Sequence, residues 1–453
     1  MHPVDDLVSS LPPASAYWVA FSGGLDSRVL LEALAAARER LTAPLGAVHI
    51  DHGLQVESGR WSEHCRRLCE RLGIDYVGLQ VDASAAPGQS PEAVAREARY
   101  RALRDWLPAG AVLLTAQHQD DQAETLLLQL LRGAGPKGLA AMPERAGFGA
   151  GLLVRPLLDV PRSVLRDWAE QRGLDWIEDP SNADTAYDRN YLRHRVLPLL
   201  AARWPTAPAT LARSARHQAD QVELARALAA IDLAHCRQGG GQGVPVNRLG
   251  TLSPARQRNL LRHWVEGEGL PLPSERVLRR ALHELMHCRA DATPCVHWPG
   301  AELRRFRDGL YLMPPLPRID PARTIAWRPD APLRIEEADG VLRAVPAAGA
   351  GLDAALAKRG LEVRFRRGGE SLCPRGRGHR HALKKLLQEA GVPPWERERL
   401  PLLYLDGELV AVPGLCVAEG RQAGPGRPGL ELRWSRFEAP GINGRGGVHR
   451  GGG

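Results

Sequence analysis

A chain of 453 residues, 44% of them hydrophobic, is long enough for two to four domains with true cores. Its 60 Lys and Arg against 52 Asp and Glu leave a formal charge of +8, which suits a polyanionic partner, although an Arg- and Ala-rich composition gives an ordinary soluble enzyme the same surplus. There is no run of about 20 apolar residues, no basic head with an apolar stretch after Met1, and no regular pattern to the seven cysteines, so the expectation is a protein of the reduced cytoplasm with no membrane partner.

The first strand-like run, 17–21, ends abruptly at Ser22-Gly23-Gly24-Leu25-Asp26-Ser27, and a helical pattern (Val29, Leu30, Leu31, Leu34) follows over 26–40. Strand, glycine loop and helix together place backbone N–H groups and a helix N-terminus around phosphate. Gly23 and Gly24 let the backbone approach an anion closely, and Ser22 and Ser27 add hydroxyls. Asp26 is out of place beside phosphate unless it binds Mg²⁺ or a backbone amide. The loop lacks the G-x-x-x-x-G-K-[ST] spacing of the Walker motif.

Strands are next expected at 46–50, 76–81 and 111–115, with helices at 58–73, 91–107 and 119–132 between and after them. The repeated strand–helix order predicts an α/β fold with a doubly wound parallel sheet. Ligands of such sheets sit beyond the carboxyl ends of the strands. The glycine loop, His49-Ile50-Asp51-His52 and Thr115–Asp121 should therefore gather on one edge. Cys65 and Cys69, at helical spacing with Leu68 and Leu72, read as core. Arg96, Arg99 and Tyr100 share a helix face that suits phosphate or nucleic acid, or simply solvent.

At the next strand end, Thr115-Ala116-Gln117-His118 runs into a helix carrying Asp121 and Glu124 on one face. Two neighbouring carboxylates repel unless a cation joins them, either Mg²⁺ or the ammonium of an amine substrate. The stretch 178–195 is dense in polar and cationic residues, with Asn190 and Arg193 one turn apart, and could wrap phosphate or a base.

From Pro205 helices dominate, at 208–235, 254–268 and 274–288, followed by short extended pieces at 296–298 and 310–312. Cys288, Cys295 and His297 lack the paired spacing of a structural zinc site. Pro314–Ala350 reads as a linker with some extended structure. A compact last unit follows, with a strand at 361–366, a helix at 379–390, and strands at 401–405 and 408–413 joined by an Asp406-Gly407 hairpin turn. Its stretch 358–399 concentrates basic residues, Arg364, Arg366, Lys384, Lys385 and Arg397 among them, as a surface for phosphate backbones would. The Gly-rich tail reads as disordered.

The string Ser22–Ser27 in its strand–loop–helix setting resembles the signature of the PP-loop ATP pyrophosphatases. Taken with 49–54, 95–100, 115–124, 132–142, 155–158, 179–193 and the string Leu383–Trp395, nearly the whole chain resembles the long, three-domain form of the tRNA(Ile)-lysidine synthase family. The resemblance implies a catalytic PP-loop domain at 1–205, a mainly helical tRNA-binding domain at 206–313, a linker at 314–351, a basic tRNA-binding domain at 352–437 and a disordered tail at 438–453. It implies that ATP adenylates the wobble cytidine of the CAU anticodon of tRNA(Ile), and that free L-lysine then displaces AMP.

By the same resemblance Ser22, Gly23, Gly24, Leu25, Asp26, Ser27, His52 and Arg96 would bind ATP, with Asp26 near Mg²⁺. Asp121 and Glu124 would bind lysine, and His118 would join Asp26, Asp121 and Glu124 in catalysis. Arg99, Asn190, Arg193, Arg364, Arg366, Lys384, Lys385 and Arg397 would bind tRNA. No protein partner beyond a second copy of the chain is implied. One departure is Gln117, where many members have a second His, so it is given no catalytic role. A tRNA thiolase would carry Cys-x-x-Cys pairs, which the chain lacks; a non-catalytic RNA-binding protein would not need an intact glycine loop with Asp121 and Glu124.

Overall fold

The computed structural model describes residues 3–51, 58–82, 91–238, 243–289 and 292–437. His52 and the tail 438–453 lie outside these residues. The chain divides into two units at Leu228/Ala229, within the helix Ala207–Arg237.

In the first unit, strands β1 (Tyr17–Ala20), β2 (Leu45–Asp51), β3 (Asp75–Gln80) and β4 (Val112–Leu114) alternate with helices α1 (Leu25–Ala36), α2 (Ser58–Leu72), α3 (Pro91–Trp106) and α4 (Gln119–Leu131). These are the expected elements, with ends shifted by a few residues. Two strands were not expected, β5 (Arg145–Phe148) and β6 (Gly151–Val154); they form a hairpin that completes a six-stranded sheet in the order β3-β2-β1-β4-β6-β5. All neighbours are parallel except β5, which runs antiparallel at the edge.

Side chains two apart on a strand face the same way, and the two faces feed two cores. Val19, Ala47, Val112 and Leu114 pack with α1, α2 and the helix α6 (Arg162–Gln171), through Leu30, Leu31, Leu34, Leu68, Leu165 and Trp168. Val48 and Leu113 pack on the opposite face with Leu103, Leu107, Phe148 and Leu153. Each fully buried leucine of this kind contributes about 1.5–3 kcal/mol. The two packed faces leave the carboxyl edge of β1 and β4 as the place where loops converge.

In the second unit, helices Pro254–Gly267 and Glu275–His287 pack on an antiparallel sheet that includes Cys295–Trp298, Ala301–Phe306 and Gly309–Met313. The segment expected as a linker is built into the fold. Thr324–Trp327, Leu333–Ile335 and Gly340–Ala348 are strands, and the last pairs along its length with Pro428–Arg436, Gly340 facing Arg436 and Ala348 facing Pro428. The hairpin Leu402–Leu405 to Glu408–Val412 turns at Asp406 (φ 50°) and Gly407 (φ 82°), the left-handed pair that a two-residue turn requires. The expected helix 379–390 is confined to Leu383–Glu389, because His381–Ala382 pairs as a strand with Ser371–Leu372. Trp395 is buried edge-on against Tyr311 and Phe306, tying the last segment to the sheet before it.

Candidate active site

The loop 22–27 is a cradle fixed from within. Ser22 Oγ and Ser27 Oγ lie 3.0 Å apart, Ser27 Oγ donates to the Gly24 carbonyl, and the Ser22 N–H donates to Ser27 Oγ at 3.3 Å. Gly24 caps α1 in an extended conformation. Gly23 has φ +80°, which calls for glycine, and a Cβ there would lie 2.9 Å from Ile177 Cδ1 and 3.0 Å from Cys65 Sγ, so both neighbours would have to give way. The Ile177 N–H donates to the Gly23 carbonyl. Leu25 is buried in the core, leaving only its backbone to an anion. The open N-terminus of α1 carries the partial positive charge that favours phosphate.

Asp26 sits in the first turn of α1. Burial opposes its ionisation, but His118, Arg162 and Arg193 outweigh that and hold its carboxyl below the usual range. Its Oδ1 is buried and accepts no hydrogen bond, while Arg162 Nε stands 3.7 Å away. A lone carboxylate oxygen beside a phosphate cradle fits Mg²⁺, which takes one or two carboxylates plus phosphate oxygens and water.

His118 is fully buried as the N-cap of α4. Its backbone N–H donates to Asp121 Oδ2 at 3.1 Å, and its Nδ1 accepts from the Asp121 N–H at 3.4 Å. A proton on the ring therefore belongs on Nε2, which points between Asp26 (3.6 Å) and Asp121 (3.4 Å). Burial pulls the imidazole pKa down; the carboxylates of Asp121, Asp26 and Asp120 more than offset it, so the ring titrates above its ordinary value.

Asp121 and Glu124 lie together as their spacing implied, but their charges are already met. Arg193 grips Glu124 through Nε (2.6 Å) and Nη2 (3.0 Å) and reaches Asp121 Oδ1 at 2.8 Å. Arg189 adds a 2.7 Å bond from Nε to Glu124 and a contact from Nη2 to the Asp121 carbonyl. Glu124 has no solvent exposure, and the two arginines are about a fifth exposed.

This corrects the tRNA-facing reading of Arg193, whose guanidinium is turned inward. Asn190 is likewise turned to its own chain, donating to the carbonyls of Ser181 and Asp184. Arg189 and Arg162 were missed. The signal for Arg189 was its i,i+4 spacing from Arg193, which matches a carboxylate pair at i,i+3.

On α3, Arg96 is exposed above the Tyr100 ring, 5.0 Å from its centre, and Arg99 is exposed too. Gln117 contacts Tyr100 (3.5 Å) and accepts from the Thr115 hydroxyl. His49 is buried and held by the Phe21 carbonyl, serving the sheet beneath the loop. In the second unit Lys384 and Lys385 are exposed. Arg364 is half-buried on Glu362, Arg366 lies near Glu370, and Arg397 donates to the Val392 carbonyl, so these three are more engaged than a bare basic surface implied. Cys295 faces Glu302 and Cys288 the Leu285 carbonyl. Among the described residues no group of three or more His, Cys, Asp or Glu is arranged to hold a metal.

A doubly wound sheet whose first strand opens into an anion cradle, with carboxylates and guanidiniums at the same edge, defines a PP-loop nucleotide-binding domain. The chain matches the PP-loop domain family over residues 3–200, the TilS substrate binding domain over 245–311 and the TilS substrate C-terminal domain over 361–434. It is 44% identical to the tRNA(Ile)-lysidine synthase of Methylococcus capsulatus over 95% of this chain and 99% of that one. To those of Alkalilimnicola ehrlichii and Coxiella burnetii it is 46% and 41% identical, over 92% and 94% of this chain and 93% and 94% of theirs. The chain belongs to the tRNA(Ile)-lysidine synthase family.

Proposed function

We propose that the chain ligates L-lysine to the 2-carbon of the wobble cytidine in the CAU anticodon of tRNA(Ile), consuming ATP. The observation that carries this is the meeting, at one sheet edge, of the Ser22–Ser27 cradle with the His118, Asp121 and Glu124 cluster, in a chain of this family. The cytidine O2 attacks the α-phosphorus of ATP and pyrophosphate leaves. An amine of lysine then attacks C2 and AMP leaves, forming the C–N bond of lysidine. The modified base pairs with A instead of G, which changes codon reading from AUG to AUA.

The residues divide this work. The cradle's N–H groups and hydroxyls hold the β,γ-phosphates, and Asp26 would hold Mg²⁺, which when bound neutralises charge on the departing pyrophosphate. His118 Nε2 faces both Asp26 and Asp121 and places a titratable group between their carboxylates. Asp121 and Glu124 serve the lysine amine, which has an ordinary pKa of about 10 and must lose a proton before it attacks. Arg96 and Tyr100 offer a cation and a ring to the nucleotide or the cytidine. Positioning and charge stabilisation supply the rate. No helix of the described residues is long and apolar enough to cross a membrane, and the proposed site of action is the cytoplasm.

The test is incubation with ATP, radiolabelled lysine and unmodified tRNA(Ile) carrying CAU, with tRNA(Met) beside it. Label should enter the first RNA alone, with AMP formed. Equal labelling of both would refute the specificity, and release of ADP with phosphate would refute the reaction.

The second unit is assigned to the tRNA body. Replacing Lys384 and Lys385 together by Glu should weaken tRNA binding across sequences and flatten the salt dependence, lowering the log–log slope by up to about two. The side chains are exposed, so the melting temperature should hold. An unchanged slope in filter binding would remove these lysines from the interface.

A further inference from the structure

Glu124 and Asp121 are already paired with cations before any substrate arrives. Asp26, Asp120, Asp121 and Glu124 face Arg162, Arg189, Arg193 and the His118 ring. Each oxygen of Glu124 already accepts from a guanidinium. A lysine ammonium cannot join such a cluster without displacing a cation or leaving buried charge unpaired.

Arg193 is the cation placed to leave. It is partly exposed and bridges Asp121 and Glu124. Burial works against its charge, but Glu124, Asp121 and Asp26 together hold the guanidinium charged more firmly than usual. Asp26 belongs to the loop that receives phosphate, so a polyphosphate there arrives within the same electrostatic field. Guanidinium binds phosphate and carboxylate in the same forked, two-bond manner, which makes the exchange chemically even.

The segment bearing Arg189 and Arg193 need not unfold for this. It is pinned by Ile177 to Gly23, by Asn190 to the Ser181 and Asp184 carbonyls, and by His194 to the Asn182 carbonyl. Rotation of the side chains is enough.

We propose that Arg193, with Arg189 beside it, fills the amine site as a stand-in cation and transfers to the nucleotide's phosphates when they bind, so that lysine reaches Asp121 and Glu124 only after ATP. This rests on the reading of that carboxylate pair as the amine site. The order matters chemically, because the amine is then admitted only to a site already holding the group that activates the cytidine.

Calorimetric titration of the full chain with lysine, with and without α,β-methylene-ATP and Mg²⁺, tests it. Lysine should bind roughly tenfold or more tighter with the analogue, and the analogue should gain the same factor from lysine. Arg193→Gln should bind lysine without the analogue and gain little from adding it. Equal lysine affinity in both states of the wild type overturns the exchange while leaving the amine site standing, and this comparison needs no variant to fold. Nucleotide dependence retained in Arg193→Gln overturns the part given to Arg193. Asp121→Asn tests the foundation separately: lysine affinity unchanged by that substitution overturns the amine site and the exchange with it.

Discussion

Asp26→Asn should lower tRNA-dependent AMP formation by about 10²–10³-fold, the range seen when one preorganised electrostatic contact is removed from a reacting centre. The substitution keeps the shape and removes the charge. It takes away the carboxylate oxygen suited to Mg²⁺, which accepts no hydrogen bond, and one of the two carboxylates that face His118 Nε2. The fold should survive, because the Asp26 side chain is about a quarter exposed and its partners keep other carboxylates nearby. The sign of the pH effect follows from its lowered pKa: the carboxylate adds stability above the ordinary Asp range, and this is lost as pH falls through the folded value. At neutral pH the change in melting temperature should be a few degrees. AMP release measured by chromatography, beside a thermal melt, separates the two effects. Wild-type turnover in this variant would end the role given to Asp26.

Glu124→Gln should cost stability as well as activity. Removing one partner of a buried ion pair strands the other, typically at a cost of about 3–5 kcal/mol. Arg189 and Arg193 are a fifth exposed and can draw on water, which puts the expected loss near the low end, about 3 kcal/mol. For a domain of this size that corresponds to a fall of roughly 6–12 °C in melting temperature. The double variant Glu124→Gln with Arg193→Gln should recover part of the loss, because the stranded charge is gone. Additive losses in denaturant titrations would show that the pair is not coupled. Label transfer from lysine should fail in the single variant even at temperatures where it is folded.

The glycine loop and the parallel sheet were legible because their signals are local. An apolar run, two glycines, an acid and a helical pattern stand within about twenty residues of one another. The hairpin Arg145–Val154 was not legible, since its strands are four residues each and Gly147, Gly149 and Gly151 break the alternation. Residues 314–351 misled through composition. Proline and alanine suggested a spacer, whereas Gly340–Ala348 owes its strand to Pro428–Arg436, whose partner residues lie 80 to 96 positions later.

The site divides in the same way. Asp121 and Glu124 were visible as a pair, but what neutralises them comes from 65 and 69 residues downstream. Arg193 and Asn190 were recognised as important by type and assigned outward, because a sequence does not say whether a cation faces solvent or a buried acid. The three-residue link between His118 and Asp121 was present in the spacing, and its capping geometry explains why that His lies inside.

Cys65 lies directly beneath Gly23, with room for a hydrogen but not a methyl. Burial, with Cys69 beside it, pushes its thiol up to about 12, so the sulfur stays protonated and out of reach of peroxide and alkylating reagents. Sulfur chemistry at that spot would swell the floor of the phosphate cradle and close it. Cys65 should therefore stay unlabelled by iodoacetamide for as long as the chain is folded, as peptide mass mapping would show.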